Sequence, residues 1–231
     1  MKIRLNKFLA DAGVSSRRAA DEAIRAGKVA VDGRRPALGE LVDPQNQKIT
    51  LNGRIVRGRS TDDQLTLVLN KPLHVITTMH DDRGRATVAD YLPNHRRLFP
   101  VGRLDAETGG VLLCTTDGEL ARFLSHPSSM IEKEYEVVAR GRLDDHAVNA
   151  LKAHRVQRLA NGSIRFSMLL HEGKNRQVRR MCAQHGLKIL TLTRVRLGPV
   201  RLQHLRPGAV RTLSEAERRE LARLRANAAR A

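Results

Sequence analysis

Residues 101–118 read VGRLDAETGGVLLCTTDG. Val101 leads into Gly-Arg-Leu-Asp, and a polar loop with glycines at 109 and 110 follows. Val111, Leu112, Leu113 and Cys114 then form a short apolar run with the character of a buried strand. Asp105 therefore falls on a loop between two expected strands, two residues after Arg103. Gly109 and Gly110 relieve the steric limits on a tight backbone path or a close ligand approach. A carboxylate beside a buried strand is costly unless something compensates its charge. The ordinary explanation is a surface turn in which Asp105 bonds its own backbone. A functional explanation needs partners from elsewhere in the chain.

Composition narrows what those partners serve. The formal net charge is +18, from 42 Lys and Arg against 24 Asp and Glu, which favours a polyanion, with nucleic acid ahead of an anionic membrane. Arg dominates the excess and suits bidentate phosphate contacts. Aromatic residues are only 3% of the chain, so binding does not rest on a multi-aromatic stacking platform. No apolar run is long enough to span a bilayer, and Met1-Lys2-Ile3-Arg4 carries no signal-peptide pattern. Cys114 and Cys182 lie in apolar patterns and read as buried free thiols, which fits a reducing cytoplasm. Zinc-type Cys/His spacing is missing, and Asp81 with Asp82 lacks further carboxylates at ligand spacing, so no metal is expected.

The N-terminal region organises itself separately. Leu5, Phe8, Leu9 and Ala12 recur at helical spacing up to Gly13. Ser15 and Ser16 offer caps for a second helix with Ala19, Ala20, Ala23 and Ile24 inward and Gly27 as its stop. A strand at 28–31, a hairpin turn at Asp32-Gly33, a strand at 48–51 and a turn at Asn52-Gly53 follow. Arg4, Lys7, Arg17, Arg18, Arg25, Lys28, Arg34 and Arg35 cluster here with little acid, as on a face that reads phosphates. Residues 57–63 are polar and unpatterned and read as a linker, dividing the chain into domains at 1–57 and 64–231.

The larger part reads as α+β, with helices inserted among strands. Strands are expected at 65–69, stopped by Asn70-Lys71-Pro72, and at 131–138, 165–170, 187–195 and 200–205. A charged loop covers 80–86, and a short helix runs through Val88 and Tyr91. Further helices follow Glu119, Asp144 or Asp145 (running to about His154), Lys174-Asn175 and the capping box at Ser214–Glu217, the last with an Arg-rich, fraying end.

Two resemblances now attach to these residues. RLNKFLADAGVSSRRAADEAIRAGKVAVDGR, within residues 2–56, resembles the small αL RNA-binding domain first described in a small-subunit ribosomal protein. LNKPLHVITT at 69–78, GRLDAETGGVLLCTTDGEL at 102–120, EKEYEV at 132–137, EGKNRQVRRM at 172–181 and TRVRLGPVRL at 193–202 together resemble the RsuA/RluB/RluF family of ribosomal RNA pseudouridine synthases. The resemblance implies a catalytic domain with a central mixed, mainly antiparallel β-sheet flanked by helices. It also implies isomerisation of a uridine in ribosomal RNA, with large-subunit RNA the expected substrate, and no cofactor, because no electron or phosphate is transferred. The RNA would be a structured stem-loop, and the protein a cytoplasmic monomer.

Asp105 then matches the family's catalytic Asp, attacking or stabilising an electrophilic sugar as carboxylates do in glycoside hydrolases. Arg179 matches the cation that keeps it ionised and oriented. Tyr135, an ordinary core residue in any other strand, matches the active-site Tyr that stacks on uracil and assists proton removal. Arg103 is expected to fill the stack left by a flipped-out base, and Lys174 and Arg176 to contact RNA. Asn70-Lys71-Pro72 supports the pocket without chemistry of its own. Relatives carry a longer connection with an extra strand pair between the helix ending near His154 and the strand at Arg165, so that hairpin is expected to be reduced here. The competing reading is a non-catalytic RNA-binding ribosome-assembly factor on the same fold, which would predict a damaged Asp105–Tyr135–Arg179 set.

Overall fold

The computed structural model describes residues 2–58, 64–93 and 97–228. The chain divides into two compact units, Met1–Leu65 with Thr116–Gly118, and Thr66–Thr115 with Glu119–Ala231. Of the expected linker, residues 59–63 lie outside the described residues, as does the fraying end beyond Ala228.

In the first unit, β1 (Ile3–Arg4) leads into α1 (Leu5–Asp11) and α2 (Arg17–Arg25), followed by β2 (Val29–Val31), β3 (Leu41–Val42), β4 (Ile49–Leu51) and β5 (Arg54–Ile55). Ser16 caps α2, its side chain accepting from the Ala19 amide at 3.0 Å. Ala20 and Ile24 turn inward with Leu5, Phe8 and Leu9, whereas Ala19, expected inside, is exposed. The Asp32-Gly33 turn closes as expected, Val31 and Arg34 exchanging backbone hydrogen bonds of 2.9 and 3.0 Å across it, but the pairing ends there and the strand that β2 lies against is β4. Asn52-Gly53 does join two paired strands, β4 and β5, with φ of 50° and 76°.

The second unit contains β6 (Thr66–Lys71), β7 (Phe99–Pro100), β8 (Gly109–Thr115), α3 (Gly118–Ser125), β9 (Lys133–Arg140), α4 (Asp145–Leu151), β10 (His154–Arg158), β11 (Ile164–Leu170), α5 (Gln177–Gln184), β12 (Lys188–Leu197), β13 (Val200–Arg201), β14 (Val210–Thr212) and α6 (Glu215–Ala228). Its sheet runs β10-β11-β9-β12-β8-β6-β14, with β7 on β8 and β13 on β12. The β12–β8 pairing is parallel and every other one antiparallel, which is the mixed sheet expected. Strand β8 is buried at every position, as a central strand covered on both faces must be. One face holds Val68, Val111, Leu113 and Leu197 against Leu124 and Leu221 from α3 and α6. Cys114 and Cys182 are buried free thiols; burial pushes Cys114 up to about 12 and Cys182, despite the opposing Arg179 charge, to about 11.

The structure corrects three expectations. Strand β6 continues through Asn70 and Lys71, both buried, because Lys71 finds internal carbonyl partners. Helix α4 stops at Leu151, where Lys152 turns left-handed, well short of His154. Residues 154–158, expected at the end of a helix and in the connection after it, form β10, a single strand hairpinned to β11 through Asn161-Gly162. Its strand residues are mostly exposed, and backbone pairing holds them without the apolar alternation that marks a strand in sequence.

Candidate active site

The loop bearing Asp105 is pinned by the last residue of β6 and the segment that follows it. Lys71 is fully buried, and its Nζ donates to the carbonyls of Pro72 (2.7 Å), Val75 (2.6 Å) and Ala106 (3.4 Å). The His74 amide donates to the Ala106 carbonyl at 2.7 Å. Thr77 Oγ1 donates to the Leu104 carbonyl at 2.6 Å and accepts from the Leu104 amide at 3.2 Å. The Thr108 amide closes the turn on the Asp105 carbonyl at 3.0 Å. LNKPLHVITT is therefore a clamp on the GRLD loop, a function its apolar and polar pattern does not disclose.

The side chain of Asp105, about one-third exposed, lines a cavity of about 600 Å³ together with Arg103, Tyr135, Arg176, Arg179 and Arg194. The sheet supplies the floor. Lys71 pairs with Gly110 across β6 and β8, Gly110 with Arg194 across β8 and β12, and Arg194 with Tyr135 across β12 and β9. Cross-strand partners project from one face, so a cation, a gap, a second cation and a phenol ring stand in a row. On the opposite face Glu134 takes Arg196 at 2.9 Å and Arg155 at 3.1 Å. Burial raises the Glu134 carboxyl, but these guanidiniums outweigh it and hold it below its ordinary value. That network anchors β9 with Tyr135, 8% exposed, turned to the cavity side.

Helix α5 brings its arginines to the same loop, but not in the expected pairing. Arg176 Nη1 lies 4.0 Å from Asp105 Oδ2 and its Nη2 is 3.2 Å from Glu107 Oε2. Arg179 stands 3.7 Å from Glu107 Oε2, and its Nη2 donates to the Glu107 carbonyl at 2.8 Å. No ion pair joins Arg179 to Asp105, so that expected contact is corrected. Arg176 caps α5 in the left-handed region (φ 48°), which carries its side chain to Asp105 while Arg179, one turn on, reaches the next acidic residue. Glu107, which sequence reading passed over, holds both guanidiniums; its only signal was an acid two residues after Asp105. Lys174 is paired with Glu172 at 2.9 Å. Arg103 is exposed on the cavity rim.

Burial lowers the Lys71 ammonium to about 8, with the nearby Asp105 charge opposing the shift. Its unfolded value is higher, so below about pH 8 both states hold the proton and the desolvation penalty is fully present. Between about 8 and 10.5 the unfolded chain alone holds it, and the Lys71 contribution to stability rises with pH. The difference in unfolding free energy between wild type and Lys71→Met should therefore move toward wild type over that window, as urea midpoints would show. A flat difference contradicts a charged, buried Lys71.

In the first unit, Arg4, Arg17, Arg18, Arg25 and Lys28 are exposed, whereas Lys7 is held by Asp11 at 2.9 Å and Arg34 by Glu40 at 2.5 Å. Among the described residues, no group of three or more His, Cys, Asp or Glu is placed to hold a metal, and no helix is long and apolar enough to cross a membrane.

A family model described as RNA pseudouridylate synthase matches residues 65–184, more than half of the chain. The chain belongs to this family. A model of the S4 domain matches residues 3–44 of the synthase, in the unit that carries the basic cluster. The synthase is 40% identical to an uncharacterized RNA pseudouridine synthase of Mycobacterium tuberculosis, covering 93% of this chain and 91% of that protein. It is 38% identical to ribosomal large subunit pseudouridine synthase B of Vibrio cholerae, over 90% and 70% of the two chains. A crystal structure of a pseudouridylate synthase superposes on the synthase with a TM-score of 0.64 at 25% identity, covering 95% of this chain and 99% of that one. The synthase is thus an isomerase on the α+β fold expected from its motifs.

Proposed function

We propose that this synthase converts a uridine of large-subunit ribosomal RNA to pseudouridine, with Asp105 as the nucleophile. The observation that carries the reading is a carboxylate on a loop clamped at Leu104 and Ala106, beside a buried Tyr135 and two guanidiniums, at a cavity large enough for a nucleoside. The reaction breaks the bond from ribose C1′ to uracil N1, forms one from C1′ to C5, and moves the C5 proton away while N1 gains one. It conserves composition and oxidation state, so the protein's own groups suffice without a cofactor. Asp105 meets the electron-poor C1′ or the uracil ring, Tyr135 stacks on the base and assists loss of the C5 proton, and Arg103 fills the vacated stack. Arg176 is the guanidinium nearest Asp105, and Arg179 takes over the ion pair when RNA displaces Glu107. The domain at 1–57 collects RNA through Arg4, Arg17, Arg18, Arg25 and Lys28, with Lys7 and Arg34 joining once released from their carboxylates, and the domain at 64–231 performs the chemistry with Lys174 and Arg176 touching phosphates. It acts as a cytoplasmic monomer on a structured stem-loop. The large-subunit substrate is supported by the likeness to the Vibrio cholerae protein of that name.

Purified protein incubated with large- and small-subunit ribosomal RNA transcripts, followed by pseudouridine mapping, should show one or a few modified uridines in the large-subunit RNA. RNA binding without any conversion would instead identify an assembly factor, and modification confined to small-subunit RNA would overturn the substrate. Arg179→Met should lower kcat/KM about 10- to 100-fold, the scale of one lost charge-assisted hydrogen bond, here to the Glu107 carbonyl. Arg176→Met should cost about tenfold, because its contact with Asp105 is longer and more exposed. Wild-type kinetics in both variants would remove the arginines from the mechanism.

A further inference from the structure

Arg194 is a buried guanidinium on the cavity wall whose donors are only partly met. It is 3% exposed, and its Nε donates to the Val111 carbonyl at 2.8 Å. Its Nη2 is buried with no hydrogen-bond partner, and among the described residues no carboxylate lies within ion-pair distance. A guanidinium has five N–H donors, and burying one with so few acceptors is costly unless a ligand completes the set. The residue lines the cavity shared with Asp105, and in register it is the direct neighbour of Tyr135. The charge is also unfavourable to a neighbour: Lys133, on the same cavity wall, is pushed below its ordinary value by burial and, further, by the Arg194 charge.

We propose that Arg194 is the uracil-binding residue of this site, donating to a ring carbonyl of the flipped base while Tyr135 covers its face. The inference rests on the uridine-isomerising function proposed above. The chemistry favours a carbonyl hook in this position. Turning uracil half a revolution about its N3–C6 axis exchanges N1 with C5 and, by the same rotation, O2 with O4. A donor fixed on the sheet therefore holds O2 before the turn and O4 after it, or the reverse, and keeps the detached ring from leaving. The hook sits on the rigid sheet and not on the loop: β12 is paired on both sides there, and Gly110 opposite lets the strands approach closely. A neutral carbonyl completes the guanidinium without neutralising Asp105, which a phosphate in the same place would crowd electrostatically.

The test combines protein variants with substrate sulfur. RNA transcripts carrying 2-thiouridine or 4-thiouridine at the modified position present a weaker acceptor at one carbonyl. Wild type should turn each over about tenfold more slowly than the uridine substrate. Arg194→Met should lose about 10²- to 10³-fold in kcat with RNA affinity within threefold, the scale of a lost transition-state donor, and the sulfur penalties should vanish in it. Arg194→Met with turnover within threefold of wild type, or with sulfur penalties undiminished, overturns the proposal. Should that variant not fold, Arg194→Lys carries the test: its single ammonium cannot span both carbonyl positions, so its two sulfur penalties should differ, and wild-type turnover with wild-type penalties overturns the assignment. If wild type itself forms no pseudouridine in any ribosomal RNA, it is the parent function that fails and not the role of Arg194.

Discussion

Asp105→Asn should bind ribosomal RNA as wild type does and form no pseudouridine, with kcat reduced at least about 10³-fold, the scale seen when a nucleophile is removed from a preorganised site. The substitution preserves size and leaves the clamp intact, because every hydrogen bond that pins the loop at Leu104, Ala106 and Thr108 uses backbone atoms of those residues or the Asp105 carbonyl. What it removes is the negative charge facing Arg176 and Lys71. Losing an anion from a basic cavity does not weaken phosphate binding, so affinity and activity should separate cleanly. An unchanged melting temperature and an RNA Kd within threefold of wild type, beside absent product, is the expected pattern. Asparagine enzyme that still isomerises uridine at the wild-type rate would show that the carboxylate is not the nucleophile.

Gly110→Ala should fail at an earlier stage, in folding. A Cβ built on Gly110 would stand 2.2 Å from the Arg194 carbonyl oxygen and 2.7 Å from its amide nitrogen, and both belong to the backbone of a strand paired on two sides. The φ of 103° adds conformational strain for any residue with a side chain. Neither clash is relieved by a rotamer change, so β8 and β12 must separate at the one parallel step of the sheet. Overpacking of this kind costs about 1–3 kcal/mol and the backbone strain about 1–2 more, giving a loss of about 2–5 kcal/mol. Chemical denaturation should read that loss directly, and expression would fall with it. Gly109→Ala is the control: its nearest neighbour, the Lys71 carbonyl at 3.3 Å, is tight without overlap, and the residue is not in the left-handed region. Equal stability of Gly110→Ala and wild type would mean that the parallel register is not as described.

The two glycines illustrate how far sequence reading reaches. The sequence marks a place of close approach at 109–110 but does not say to what, because the approaching strand is 84 residues later for the pair Gly110 and Arg194. Helices and buried strands were legible where periodicity, caps and turns repeat locally: α1 and α2, the Ser214–Glu217 capping box that the structure forms at 2.8 and 3.2 Å, and the apolar run of β8. The exposed β10 was not, since backbone pairing alone defines it. Family membership was likewise readable, because GRLD and EGKNRQVRRM are contiguous words.

Composition and motif by themselves determined the class of partner, the fold class, and that Asp105, Tyr135 and the arginines of 172–181 belong together. Only the tertiary structure decided which guanidinium faces which carboxylate, that 69–78 clamps the Asp105 loop, and that Lys71, Gly110, Arg194 and Tyr135 share a row. The reason is physical. A motif specifies side chains along the chain, whereas the ion pairs and cross-strand neighbours of the site join segments about 70 to 84 residues apart. Strand register and helix phase set those contacts, and one residue of slip in either would exchange every partner.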